Sequence, residues 1–320
     1  MSSACRRRSV LGWLAAAPLA TPRAWAESQP IRVIVPFHPG TAPDLLARWT
    51  LERVAESTHR TVVVDNRGGA GGSLGAALAA RSTPDGQTFL LGSAGTHGIN
   101  PSIYDKLAYD PEKDFLPVTG VAQAANVLVV APESEFTTVD ALVARAKAQP
   151  GRLLFGHTGI GTTPHLAGAL LHHMAGMQVT SVPLPGTTLL DVVGRRVDYA
   201  MDSIAVVPHV RSQRVRALAV TSLKRVPVLP DVPTLDELGF SGYEVTAWSA
   251  LFAPAHTPRA PIDRLQAAVQ AALAEPDLIR RFLDTGATPL RDGAAQLAAR
   301  VHAELQRWPA IVKGLNAGAG

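Results

Sequence analysis

Two loops in this chain carry the residue types that hold an anion without a metal. The first, Pro36-Phe37-His38-Pro39-Gly40-Thr41-Ala42-Pro43-Asp44, follows the β-branched run Ile31–Val35 and leads into the apolar-periodic segment Leu45, Leu46, Trp49, Leu51, Val54. The prolines and glycine stop strand pairing, and Asp44 is expected to open a helix. A helix start aimed at a strand's carboxyl end leaves backbone N–H groups that favour a carboxylate or phosphate, although the same pattern also makes an ordinary βα turn. The second loop, Gly156-His157-Thr158-Gly159-Ile160-Gly161-Thr162-Thr163-Pro164-His165, follows Leu153–Phe155 and precedes the apolar helical segment Leu166–Met174. Its proline suits a first helical turn, Thr162 or Thr163 suits the N-cap, and its glycines let backbone approach a ligand. Facing each other across a cleft, the loops would supply a few charge-assisted hydrogen bonds. At roughly 1.5–3 kcal/mol each, three or four reach the about 8 kcal/mol of micromolar binding after association costs.

Other residues extend this candidate site. Ser93 and Thr96 stand at the carboxyl end of the strand expected at Thr88–Gly92, and His97 and His165 lie within reach of a ligand, although both also suit hydrogen-bonded helix starts. Asp202 ends the strand expected at Tyr199–Asp202, where it would bind an ammonium group or cap a helix. Competing chemistry fits less well. Gly69-Ala70-Gly71-Gly72-Ser73-Leu74-Gly75 has loose spacing for a dinucleotide fingerprint and lacks the ribose-binding acid, so a tight turn is the better reading. Gly92-Ser93-Ala94-Gly95 is no nucleophile elbow. His157, His165, His172 and His173 lack a His-Glu-x-x-His pair or a cysteine partner. No cofactor, no metal and no catalytic residue are expected.

The elements that would position these loops alternate. Strands are expected at Ile31–Val35, Thr61–Val64, Thr88–Gly92, Leu153–Gly156, Gln178–Val182, Tyr199–Asp202 and Arg216–Val220, with helices or loops between them, which makes the chain α/β with mostly parallel, helix-covered sheets. A helix at Thr137–Ala148 starts on a capping pattern and stops at Pro150-Gly151. Phe115–Val130 and Tyr243–Ala253 are long, apolar and without helical period, as strands crossing between two domains would be. From Pro261 onward the pattern is helical, broken at Glu275-Pro276 and Thr285-Gly286.

Arg6-Arg7-Arg8, the apolar Val10–Ala17 and the small-x-small site Ala24-Trp25-Ala26 read as an export signal cleaved near Ala26, by the general or the twin-arginine route, with the periplasm as destination. Cys5, the single cysteine, falls within that signal. Residues 1–26 hold four of the 30 basic residues and no acids, so the remainder is balanced at 26 basic and 26 acidic. No basic face with interleaved aromatics is apparent, which argues against nucleic acid. No later apolar run reaches the roughly 18 residues of a membrane span.

Pro36-Phe37-His38-Pro39-Gly40 with Asp44, Val64-Asp65-Asn66-Arg67-Gly68-Gly69-Ala70-Gly71-Gly72, Pro84-Asp85-Gly86, Asn100-Pro101-Ser102-Ile103-Tyr104, Leu218-Ala219-Val220-Thr221-Ser222 and Leu229-Pro230-Asp231-Val232-Pro233-Thr234 together resemble the Bug/TctC family. These are extracytoplasmic solute receptors of tripartite tricarboxylate transporters. The resemblance spans the chain after residue 26 in motif order. It implies a two-domain Venus-flytrap periplasmic binding fold, type II-like, with domain 1 at 27–125 plus 246–320 and domain 2 at 126–245. It also implies a small carboxylated solute between the domains, gripped by loops that map onto Phe37, His38, Gly40, Thr41 and Asp44 and onto Thr158, Gly161, Thr162, Thr163 and His165. The expected partners are integral-membrane transporter subunits or, alternatively, a membrane sensor; an exported α/β enzyme is the third alternative, and a monomer is expected. Three departures stand out. Thr41 replaces a second glycine, Pro43 before the acid is unusual, and Val182-Pro183-Leu184-Pro185-Gly186-Thr187-Thr188-Leu189-Leu190-Asp191 lacks the family's Tyr-Lys-Gly.

Overall fold

A computed structural model describes residues 29–317 apart from 105, 160–161 and 185–187, with side chains as far as 312. The leader expected at 1–26, and Gly161 of the second loop, lie outside the described residues. The elements run β1 (Ile31–Val35), α1 (Ala42–Thr58), β2 (Val62–Asn66), α2 (Ser73–Ala80), β3 (Thr88–Ser93), α3 (Asn100–Ile103), β4 (Phe115–Val130), α4 (Val139–Ala148), β5 (Leu154–His157), α5 (Thr163–Ala175), β6 (Thr180–Pro183), α6 (Leu189–Val193), β7 (Tyr199–Ser203), α7 (Val207–Arg211), β8 (Arg216–Val220), β9 (Thr246–Pro254), α8 (Arg259–Ala272), α9 (Pro276–Asp284), β10 (Thr288–Pro289) and α10 (Ala294–Ala317). Local chemistry explains most boundaries. Thr138 caps α4 by accepting the Ala141 N–H at 3.2 Å, and Ile262, Leu265, Val269 and Ala272 form one buried stripe along α8.

Strand order is β2-β1-β3-β9-β4-β7-β5-β6, with β8 and β10 also paired to β4. In the first lobe β1 lies parallel between β2 and β3, Val33 facing Val64 and Phe89. In the second, β5 lies parallel between β6 and β7, Phe155 facing Ser181 and Tyr199. The long strand β4 serves both sheets: it pairs with β9 as far as Ala125↔Thr246 and with β7 from Asn126↔Ser203. The strands that feed the loops are parallel as expected. The long strands add antiparallel pairs, β9 with β3 and β4, and β4 with β7 and β8, because they arrive from the other sheet and not through a helical crossover.

Helices pack closely on both sheets. α1 and α8 bury Leu46, Leu51, Val54, Ile262, Leu265 and Val269 against one face of the first sheet. In the second lobe Gly168, midway along α5, lies so close to the Phe155 ring that any Cβ would overlap it. Gly168→Val is therefore expected to destabilise by about 3 kcal/mol, since overpacking forces side chains off rotamer. A urea midpoint equal to that of the parent would show that the ring yields freely.

Candidate functional site

The first cluster gathers at the carboxyl ends of β1, β2 and β3. Thr41, and not Asp44, is the N-cap of α1; its backbone is extended and its side chain makes no capping bond. Thr41 Oγ1 donates instead to the His38 carbonyl at 2.8 Å. Asp44, expected to open the helix, is its third residue, within the first turn, where its carboxylate, 1% exposed, reaches back over the loop. It accepts from Gly40 N–H at 2.8 Å, from Asn66 Nδ2 at 2.8 Å and from Arg48 Nε at 3.0 Å. Asn66 Nδ2 also holds the Phe37 carbonyl at 3.1 Å, and Arg48 donates to Asn66 Oδ1 at 2.6 Å. Burial alone would raise the Asp44 pKa, but hydrogen bonds from Arg48, Asn66 and Gly40 outweigh it and hold the carboxyl below its ordinary value. Gly40 takes a φ of +79°, a conformation that brings its N–H round to Asp44 without a Cβ penalty.

The loop after β3 closes this cluster from the other side. Ser93 N–H donates to Thr96 Oγ1 at 2.9 Å, and Thr96 N–H returns to Ser93 Oγ at 3.2 Å. Thr96 Oγ1 also meets His97 Nδ1 at 2.9 Å. These bonds tie the three side chains together, all of them buried, while His97 Nε2 has no hydrogen-bond partner among the described residues. The His97 ring, expected within reach of ligand, instead stacks on Phe252 at 3.8 Å between centroids, and burial pushes its pKa down to about 3. His38 is exposed and its ring packs over Gly68, whereas Phe37 is half-buried against the core under α1.

In the second cluster Thr162 is the N-cap of α5: Oγ1 accepts His165 N–H at 3.4 Å and donates to the Gly159 carbonyl at 2.6 Å. Thr158 Oγ1 lies 3.4 Å from Thr162 Oγ1, and Gly159 N–H donates to His157 Nδ1 at 3.2 Å. His165 is buried, its ring 4.3 Å from that of His157, and burial with the neighbouring histidine brings its pKa to about 4. Asp202 engages the start of a helix. Its Oδ2 accepts from the Thr188 hydroxyl at 2.7 Å and from Thr188 N–H at 3.1 Å, at the start of α6, and its Oδ1 accepts Ser203 N–H at 2.7 Å.

Among the described residues no protein acceptor engages the N–H of Ala42, Asp44 or Thr163, each in the first turn of its helix. Both loops therefore present the same device, a strand end that turns into a helix with first-turn donors unused. Sequence reasoning missed three members of the arrangement. Arg48 carries a signal, four residues after Asp44 on one helix face; Asn66 carries only its place in the Val64–Gly72 family pattern, and Asn126 none. Asn126, 1% exposed on β4, accepts the Thr163 hydroxyl at 3.2 Å and so ties the second loop to the strand shared by both sheets. Two cavities of about 370 and 350 Å³ lie elsewhere, along α10 beside Arg300 and Glu304, and at the amino end of β1 beside Arg60 and Phe89.

The family described as "Tripartite tricarboxylate transporter family receptor", TctC, matches residues 46–317. The chain belongs to the TctC family. A relative from Pseudomonas sp. (strain P51), "UPF0065 protein in tcbD-tcbE intergenic region", is 39% identical over 289 residues, covering 89% of this chain and 86% of that protein. Two solved TctC-like structures come from Rhodopseudomonas palustris. Rpa4515 with adipate is 34% identical, with a TM-score of 0.73 over 88% of this chain and 96% of that one. MatC (Rpa3494) with bound malate is 34% identical, with a TM-score of 0.71 over 88% and 98%. Proteins of the TctC family are receptors that bind solutes, and the two-lobed α/β fold of this chain is the one they share.

Proposed function

We propose that this TctC receptor captures a small dicarboxylate between its lobes in the periplasm and presents it to the membrane subunits of a tripartite transporter. The lobes are 27–125 with 246–320, and 126–245; the change of partner by β4 between Ala125 and Asn126 supports this division. The observation that carries the reading is the repeated device: Ala42 and Asp44 N–H in one lobe and Thr163 N–H in the other have no protein acceptor among the described residues, at the carboxyl ends of parallel strands. Phe37, His38, Gly40, Thr41, Thr158, Thr162 and Thr163 border the solute, Asp44 organises the first loop from behind, and Ser93, Thr96, His97, His165 and Asp202 shape the walls. Adipate in Rpa4515 and malate in MatC support this solute class. The Arg6–Arg8 and Ala24-Trp25-Ala26 pattern supports export.

A thermal-shift series with adipate, malate, succinate and citrate tests the proposal. A solute at a hundredfold its dissociation constant stabilises by about 2.7 kcal/mol, a readily measured rise in melting temperature. Thr162→Ala should weaken that response about tenfold and cost about 1 kcal/mol through the lost cap. A parent protein that responds to no carboxylate would overturn the assignment.

A further inference from the structure

A hydrogen-bond knot sits where the chain passes from one sheet to the other. Asn126 is the first β4 residue paired with β7, and Val245 immediately precedes β9, so any change of lobe angle bends the chain at these two points. Asn126 N–H donates to Thr221 Oγ1 at 2.7 Å, Thr221 N–H donates to the Asn126 carbonyl at 3.1 Å, and Thr221 Oγ1 donates to the Val245 carbonyl at 2.7 Å. Asn126 Nδ2 donates to that same carbonyl at 3.0 Å. These partners are the two crossing points, Asn126 and Val245, and Thr221 at the end of β8, all on the second-lobe side of the crossing. The one remaining group, Asn126 Oδ1, accepts the hydroxyl of Thr163 in the first turn of α5, at the mouth of the second loop.

A threonine hydroxyl has one hydrogen to give, and a carboxylate only accepts. Thr163 therefore cannot donate to Asn126 and to a bound carboxylate at once. We propose that Asn126 is a positioning residue that couples the second loop to the crossing strands: with no solute the Thr163 hydroxyl tethers α5 to the crossing, and a carboxylate that takes its hydrogen releases the tether and frees the lobe angle to change. This rests on the dicarboxylate reading above for its trigger, but not for the tether itself. A ligand shifts such an equilibrium only by its differential interaction with the two states, and here that difference is the Thr163 hydrogen, given to Asn126 in one state and to the carboxylate in the other.

The test places spin labels at the exposed positions Arg81 and His173, one per lobe, through Arg81→Cys and His173→Cys in a Cys5→Ser background, and reads the interlobe distance distribution. Without solute, Thr163→Val should at least double the width of the distribution, and Thr163→Ser, which keeps the hydroxyl, should restore it. Asn126→Asp, which keeps the acceptor for Thr163 but loses the donor to Val245, should also broaden it. A role in stability alone would lower the melting temperature and leave the distribution in place. Superposition of the Thr163→Val distribution on that of the parent would overturn the tether. If Thr163→Val broadens it while adipate and malate leave the parent unmoved, the solute trigger falls and the tether stands.

Discussion

Acidification from pH 7 to pH 5 is expected to remove about 6 kcal/mol of stability, on the order of the whole stability of an ordinary domain. The cause is a set of histidines buried in the neutral form. His97 is held at a pKa of about 3 by burial, His172 at about 3 by burial and by the neighbouring His165 and His157, and His165 at about 4; His157 is lowered by burial as well. Their surroundings are aromatic. His172 Nε2 meets the Tyr199 hydroxyl at 2.7 Å and its ring lies edge-on to Phe155 at 4.8 Å. The unfolded chain binds protons near pH 6.5 and the folded protein does not, so the stabilisation is complete above 6.5 and is lost as pH falls toward the folded values. At pH 5 the loss is about 2 kcal/mol for each of His97, His165 and His172. Glu304 opposes this trend. Burial raises its pKa, outweighing the lowering by the hydrogen bonds it accepts from Trp248 and Trp308, so its contribution is present at low pH and lost as pH rises. One such carboxyl does not cancel several histidines. Urea unfolding at pH 7, 6 and 5 checks the expectation; a midpoint that stays constant across this range would show that these rings protonate without unfolding.

Asp44→Ala is expected to cost about 2–3 kcal/mol and to reduce dicarboxylate affinity at least tenfold. The substitution strips an acceptor from Gly40 N–H, Asn66 Nδ2 and Arg48 Nε together. Truncating one member of a buried ion pair costs about 3–5 kcal/mol when its partner stays buried, but the Arg48 side chain is 42% exposed and rehydrates, which lowers the figure. The functional loss follows from geometry: without Asp44 the Gly40 turn and the Phe37 carbonyl lose their anchor, and the first-turn donors of α1 are no longer aimed. Asp44→Asn keeps the shape and one acceptor, so it should retain most of the stability. Calorimetric titration of the two variants with adipate checks both effects; equal affinities for parent and Asp44→Ala would remove Asp44 from any organising role.

The helix α1 shows how far local pattern reaches. Its existence follows from the spacing of Leu46, Leu51 and Val54, and the preceding strand from its β-branched run, because dihedral preference and burial periodicity are properties of neighbouring residues. The loops that join them, the α/β alternation, the long strands at Phe115–Val130 and near Thr246, and the family itself are legible for the same reason. The use of each polar group is not. Asp44 reads as a helix opener in the sequence, yet Asn66, 22 residues away, helps turn its carboxylate into the anchor of the loop. His157, His165 and His172 show no ligand spacing, but the fold brings them together beside Phe155 and Tyr199 and holds them neutral. Asn126 finds its partners 95 and 119 residues downstream, at Thr221 and Val245. Sequence determined where donors and acceptors occur along the chain and which backbone they sit on. Only the tertiary structure decided which of them are satisfied internally and which stay open to a solute, because hydrogen bonding and desolvation depend on distance in space, and register across the sheets sets that distance.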